Sequence, residues 1–155
     1  MRSTELRQFI EDFALVLTDA GMQRMGARAF GALLSSESGT LTAREIAGVL
    51  DVSPAAVSGA VKYLEQAQLV RRMRRAGERV DRYTLGDDSW YTAMATRTDI
   101  FESLNRALGQ GLEALPESGP AAGRLAETRD FFDYIQVEMP LLVSRWRASR
   151  RDMPR

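Results

Sequence analysis

Residues 41–64 decide the fold, and they read LTAREIAGVLDVSPAAVSGAVKYL. Thr42 is followed three residues later by Glu45, which is the capping-box pattern. In a capping box each of the two side chains satisfies a free backbone N–H at a helix start. The sequence therefore predicts a short helix over residues 43–50.

A second helix start follows after a very short connection. Ser53 supplies a hydroxyl cap, and Pro54 stands at the first helical position, where its missing N–H costs nothing. Only Asp51 and Val52 separate the two helices, and aspartate tolerates the left-handed conformation that so tight a turn needs. Two short helices joined this closely predict a helix-turn-helix. The side chains expected to hold it together are Ile46, Leu50, Val52, Val57, Val61 and Leu64.

A basic hairpin is expected after the second helix. Residues 69–74 read as a strand, 75–79 as a turn containing glycine, and 80–85 as a return strand. The stretch 71–82 contains six arginines and two acids, a local charge of +4, although the 21 basic and 21 acidic residues of the whole chain cancel. A helix-turn-helix followed by a basic hairpin is a winged helix.

Amphipathic helices are expected on both sides of the winged helix. Apolar residues repeat at helical spacing over residues 4–20 and again over 22–34. Further along, one helix is expected to begin after residues 87–89, and a final helix covers 121–150. Pro140 lies inside the final helix and is expected to kink or restart it. The fold class is mainly α with a small β-hairpin wing, a winged helix-turn-helix with terminal dimerisation helices.

The terminal helices have more apolar surface than a small winged helix can cover, so we expect a homodimer. This divides one compact chain into an N-terminal dimerisation helix (1–20), a DNA-binding domain (21–86) and a C-terminal dimerisation region (87–155). Apolar residues at steps of seven in the last helix are typical of an a/d seam. The expected interface residues are Leu6, Phe9, Phe13, Leu108, Leu125, Phe132, Ile135, Met139, Leu142 and Trp146.

The predicted winged helix points to double-stranded DNA as the partner. Such a domain places its second helix in the major groove while basic side chains hold the phosphates. The exposed face of that helix is expected to carry small residues, which approach bases closely but cannot read them by bidentate hydrogen bonds. Arg79, beside Gly77 at the wing tip, is expected to enter the minor groove. The candidate DNA-binding residues are Thr42, Ser53, Ala55, Ala56, Ser58, Gly59, Lys62, Arg71, Arg72, Arg74, Arg75 and Arg79, with Tyr63 on the same face.

Composition excludes several other classes. The chain has no cysteine and no histidine, which excludes thiol nucleophiles, disulfides, zinc clusters and Ser-His-Asp triads. No cofactor or metal is expected. No apolar run approaches the ~18 residues that span a bilayer, so a cytoplasmic protein is expected. Two alternatives stay open: a winged helix that binds protein instead of DNA, and an enzyme with paired carboxylates, although the acids are spread along helix faces.

Short motifs in a consistent order run along most of the chain. They are GMQRMGAR (21–28), LTAREIA (41–47), VSPAAVS (52–58), GER (77–79), RY (82–83), EMP (138–140) and RW (145–146). Together they resemble the MarR superfamily of bacterial regulators, and most closely its GbsR-like branch. The resemblance implies a homodimeric transcriptional regulator, here expected to be a repressor, that reads a pseudo-palindrome. Two departures are Asp51, where relatives often carry glycine, and Gly59, where a longer polar residue would help base reading.

The resemblance also implies that a small effector alters the spacing of the two winged helices. Apolar side chains between the winged helix and the terminal helices are candidates for lining an effector pocket, with core packing as the alternative. They are Met22, Met25, Phe30, Trp90, Tyr91 and Phe101. The absence of cysteine excludes a thiol-oxidation switch.

Overall fold

The computed structural model describes residues 2–86 and 98–151, and the chain divides into two compact units, Met1–Trp90 and Tyr91–Arg155. The described elements of the first unit are α1 (Arg2–Asp19), α2 (Arg24–Leu34), β1 (Thr40–Thr42), α3 (Ala43–Leu50), α4 (Pro54–Gln66), β2 (Arg71–Met73) and β3 (Arg82–Thr84). Those of the second unit are α5 (Thr98–Glu113) and α6 (Pro120–Arg151). The start predicted for α5 after residues 87–89 lies outside the described residues.

The N-terminal helix α1 packs on α2 and belongs to the first unit. Ile10 of α1 is buried, and Phe13 stacks on the buried Phe30 of α2 with ring centroids 6.2 Å apart. Gly31 also lies at this contact, where a Cβ would be 3.4 Å from the Phe13 ring. The core of the unit therefore begins at α1.

The helix-turn-helix forms as the sequence predicts. The backbone N–H of Glu45 donates to the Thr42 hydroxyl at 3.1 Å, and the N–H of Thr42 donates to the Glu45 carboxylate at 2.6 Å. Asp51 adopts the left-handed conformation (φ 53°, ψ 51°) that ends α3. The Ser53 hydroxyl then accepts the N–H of Ala56 at 3.3 Å, which caps α4. Both predicted helix starts are confirmed.

The wing is part of a three-stranded antiparallel sheet in the order β1-β3-β2. The predicted hairpin is confirmed with shorter strands, and Arg72 pairs with Tyr83 across it. Strand β1 was not predicted. It pairs Leu41 with Tyr83 on the other side of β3, and the Thr40 and Thr84 hydroxyls lie 2.9 Å apart. The sheet joins the wing to the start of α3.

The second unit is formed by α5 and α6, which pack against each other. Phe101 stacks on Phe132 with centroids 5.5 Å apart, and Leu125 lies where a Cβ on Gly111 would be only 2.8 Å away. Helix α6 continues through Pro140 without interruption, so the helix does not restart there, whereas the alternative of a kink stays a prediction. Proline lacks a backbone N–H and so removes one hydrogen bond of the helix. The residues on either side of Pro140 remain helical.

Candidate nucleic-acid interface

Helix α4 is held by one buried face and leaves the other face open. Val57, Ala60, Val61 and Leu64 are buried, and α4 packs on α2 and α3. On the opposite face, a Cβ added at Gly59 would meet no atom within 4 Å. The burial pattern therefore fixes which residues of α4 are available to a partner.

The available face of α4 has the composition that the sequence predicts. Ser53, Ala55, Ser58, Gly59 and Lys62 are exposed, and Ala56 is half-buried. These side chains are short apart from Lys62, so the helix backbone can come close to a bound surface. The face carries one positive charge and offers no side chain for bidentate base reading.

Two residues expected at the interface have structural roles instead. Thr42 is only 9% exposed, and its hydroxyl is used by the capping box, so it is not placed to contact DNA. Tyr63 is half-buried, and its hydroxyl accepts the N–H of Gln23 at 3.4 Å. Its ring lies against Gly26, at which a Cβ would be 2.6 Å from the ring. Tyr63 therefore holds α4 against the start of α2.

Two wing arginines are paired with carboxylates of the chain. The Arg74 guanidinium lies 2.7 Å from Asp81, and the Arg72 guanidinium lies 3.2 Å from Glu65 and 3.7 Å from Asp81. Glu65, with a smaller contribution from Asp81, raises the pKa of Arg72. Asp81 and Glu65 thus offset part of the positive charge that the sequence places on the wing.

A third arginine joins the wing to α3. Arg82 lies 3.1 Å from Glu78 on the wing and 3.8 Å from Glu45 on α3. The pKa of Glu45 is lowered, mainly by the N–H and hydroxyl of Thr42 and to a smaller extent by Arg82. The capping box therefore also anchors the base of the wing.

The remaining wing arginines, Arg71, Arg75 and Arg79, are exposed. Among the residues that the structure describes, no carboxylate oxygen lies within 4.0 Å of a guanidinium nitrogen of these three side chains. Gly77, with φ +86°, forms the tip of the wing.

Arg44 is exposed at the start of α3 and was not predicted as a DNA contact. Its position in the first turn of α3 follows from the capping box. Among the described residues, cations without a carboxylate partner thus lie on the wing, on α4 at Lys62, and on α3 at Arg44.

The effector-pocket candidates are divided between the two units. Phe30 is 1% exposed and belongs to the core of the first unit, so core packing is the better interpretation for it. Met22 and Met25 are half-buried in the same unit. Phe101 packs on Phe132 in the second unit. Trp90 and Tyr91 lie outside the described residues.

The residues predicted for the dimer interface have several environments. On α1, Leu6 and Phe9 are exposed, and Phe13 is half-buried beneath Phe9. On the second unit, Phe132 and Leu125 contact α5 within the chain. Leu108, Ile135 and Met139 are half-buried, whereas Leu142 and Trp146 are exposed. Sequence reasoning missed a set of exposed apolar residues on α1 and α6: Leu15, Val16, Phe131, Tyr134, Val137 and Leu141.

Metal binding and membrane insertion find no support in the described part of the chain. Across residues 2–86 and 98–151, no three carboxylates are grouped so that they could hold a metal ion. Within those same residues, no helix combines the length and apolarity that crossing a membrane requires.

Comparisons with known proteins agree with this geometry. A model described as MarR family matches residues 20–79, and a model described as MmpR5-like MarR family transcriptional regulator matches residues 88–149. The HTH-type transcriptional regulator MmpR5 of Mycobacterium tuberculosis (strain ATCC 25618 / H37Rv) is 24% identical over 133 residues, which is 85% of this chain and 81% of that protein.

A solved structure supports the same fold. A crystal structure of a transcriptional regulator superposes with a TM-score of 0.78 at 23% identity, over 93% of this chain and 99% of that one. Sco5413, a MarR family transcriptional regulator from Streptomyces coelicolor, matches at a TM-score of 0.42 and 22% identity over 91% of this chain and 88% of its own. The two family models together match most of the length of the chain, which is therefore similar to MarR family regulators. The protein is a winged-helix, DNA-binding transcriptional regulator.

Proposed function

We propose that the protein binds a pseudo-palindromic site in double-stranded DNA as a homodimer, with α4 in the major groove and the wing along the adjacent minor groove. The observation that carries this proposal is the pairing of two surfaces in the first unit. The open face of α4 has short side chains, and the wing presents Arg71, Arg75 and Arg79, for which the described part of the chain offers no carboxylate partner.

The two surfaces contact different parts of the DNA. Ser58 and Ala55 can touch base edges and thymine methyl groups, because the helix backbone can approach closely. Arg79 beside Gly77 is the side chain best placed to enter a narrow, A/T-rich minor groove, whose negative potential attracts arginine. Lys62 and Arg44 contact phosphates. Affinity then comes mainly from the cations, and it should fall steeply with salt.

The dimer is supported by apolar surface that each unit leaves exposed. Leu6, Phe9 and Val16 lie exposed on α1, and a further apolar set lies exposed on α6. Contiguous exposed apolar patches of this kind mark interaction sites. A two-fold symmetric pairing would place the two α4 helices roughly 34 Å apart, one turn of DNA.

Three finer features of the function stay predictions. They are the control of binding by a small effector, the action as a repressor, and membership of the GbsR-like branch. The model that matches residues 88–149 describes MmpR5-like regulators.

The proposal is tested by selecting bound fragments from random and genomic DNA with the purified protein. We expect an enriched pseudo-palindrome with half-sites ~10 bp apart, and a dimer in sedimentation at micromolar concentration. The affinity for that site should drop by at least about tenfold between 50 and 200 mM salt. A monomer, or duplex binding that does not respond to salt, would contradict the proposal.

A further inference from the structure

The guanidinium group of Arg28 joins three helices of the first unit. Arg28 lies on α2, and its Nε donates to the Glu11 carboxylate on α1 at 2.7 Å. Its Nη2 lies 2.6 Å from the same carboxylate oxygen and also donates to the backbone carbonyl of Leu50 at 3.2 Å. Only 17% of the Arg28 side chain is exposed, so water competes little for these bonds. One side chain therefore ties α1 to the end of α3.

The carbonyl of Leu50 lies at the end of α3, close in the chain to Ser53, the cap of α4. Leu50 is the last residue of α3, where helix carbonyls lack an intrahelical partner and a positive charge is favourable. Asp51 follows in the left-handed conformation, and Ser53 already caps α4. A connection this short has little freedom, so a displacement at Leu50 is passed on to the start of α4.

The same link ends on the helix that we assign to the dimer. Glu11 lies on α1, whose exposed apolar residues include Leu6 and Phe9. We propose that Glu11 and Arg28 are positioning residues for DNA recognition, which fix the orientation of α4 relative to α1. The packing of α1 against the partner protomer then sets the spacing of the two reading helices. This inference rests on the proposed homodimer.

Arg24 provides a matched control within the chain. It lies one turn before Arg28 on α2 and faces the same Glu11 carboxylate, at 3.9 Å, but 74% of its side chain is exposed. Exposed pairs of this kind contribute little. Arg24 is therefore a cation beside Glu11 that should not affect the link to α3.

The test measures the preference for half-site spacing with the full chain. The DNA set comprises the site selected by the wild-type protein, versions with one, two or three base pairs added between the half-sites, and a single half-site. Each added base pair rotates the second half-site by roughly 35°. Because a rigid dimer cannot follow that rotation, we expect the wild type to bind its own site at least about tenfold more tightly than the version with two added pairs.

The variants Glu11→Gln and Arg28→Lys should weaken this preference. Glutamine keeps the size of Glu11 but loses its charge, and lysine cannot form the planar fork that reaches both Glu11 and Leu50. We expect the affinity ratio to fall to about threefold or less, while affinity for the single half-site stays within about twofold of wild type. Arg24→Gln should keep the wild-type ratio.

Thermal unfolding and sedimentation of each variant separate positioning from general stability. A merely structural role would lower the melting temperature and all DNA affinities together and leave the spacing ratio unchanged, which would overturn the inference. An equal loss of preference in Arg24→Gln would also overturn it. A wild-type protein that binds every spacing equally would instead contradict the two-half-site binding mode, and the inference would fail with it.

Discussion

Helix α4 and the wing are neighbours in the same unit, but they are built on different principles. The buried side chains of Val57, Val61 and Leu64 hold α4 in place. The outward face of α4 carries short side chains and a single positive charge. Neither wing strand, β2 or β3, contains a fully buried residue. The wing is held instead by ion pairs of Asp81 and Arg82.

The contrast separates shape from charge at the proposed interface. Burial depends little on salt, whereas salt screens the charges on an exposed hairpin. We therefore expect α4 to determine how the protein fits the groove, and the wing to determine how tightly it binds and how strongly salt weakens that binding. Paired variants of the two regions can test each part of this view.

The largest effect is expected from removing the buried support of α4. Leu64→Ala should lower the free energy of unfolding by about 2–4 kcal/mol, because Leu64 is 0% exposed and its truncation leaves a cavity. Val80→Ala on the wing should cost less than about 0.5 kcal/mol, since Val80 is 54% exposed. Urea denaturation followed by circular dichroism measures both. Equal losses would mean that the wing has a buried core of its own.

Removing an unpaired wing arginine should weaken DNA binding more than removing a paired one. We expect Arg79→Ala to reduce affinity about tenfold and to lower the salt slope by about 1, because one DNA contact is lost. Arg74→Ala is the control, since its guanidinium is already held 2.7 Å from Asp81, and it should lose less than about threefold. Fluorescence anisotropy over a salt series gives both values. A larger loss for Arg74→Ala would reverse the assignment.

Gly59 tests whether the open face of α4 lies against DNA. Gly59→Ala should stabilise the fold by about 0.5–1 kcal/mol, because alanine favours the helix interior and nothing obstructs its Cβ. If the helix backbone approaches the bases closely, the added methyl group should weaken DNA binding by a few-fold. Gly48 on α3 is equally unobstructed, so Gly48→Ala should stabilise the fold without this loss. Thermal melts and anisotropy separate the two effects.

Sequence reasoning located α3 and α4 well because their ends are decided locally. The Thr42–Glu45 capping box and the Ser53-Pro54 start need only residues close in the chain, and both helices begin where these signals place them. The burial of Leu64 follows from helical spacing in the same way. Local chemistry of this kind can be read without knowledge of the tertiary fold.

Features that depend on distant partners were missed or misassigned. Strand β1 has three residues and exists only because β3 pairs with it, forty or more residues later in the chain. Tyr63 lies at the edge of the α4 face, and its half-buried position depends on the space beside Gly26. The pairing of Arg72 and Arg74 with Asp81 follows from the strand register, which brings residues 73 and 82 opposite each other. The sequence shows the charges of the wing but not which of them remain free.

The smallest effect is expected from releasing the two paired wing arginines. Asp81→Asn removes the carboxylate that lies 2.7 Å from Arg74 and 3.7 Å from Arg72, so both guanidinium groups become more available to phosphates. We expect DNA affinity at 50 mM salt to rise about threefold and the salt slope to become steeper by up to about 2.

Two controls distinguish release of these arginines from a general change in charge. Glu78→Gln removes an acid of the same wing that pairs with Arg82, the arginine directed toward α3, and it should raise affinity less and leave the slope nearly unchanged. In an Arg72→Gln, Arg74→Gln background, Asp81→Asn should have no further effect on the slope, because there is no longer a cation to release. Glu78→Gln could raise DNA affinity as much as Asp81→Asn does, or Asp81→Asn could still raise affinity in the Arg72→Gln, Arg74→Gln background. Either result would mean that Asp81 repels DNA through its own charge and does not act by pairing with the wing arginines.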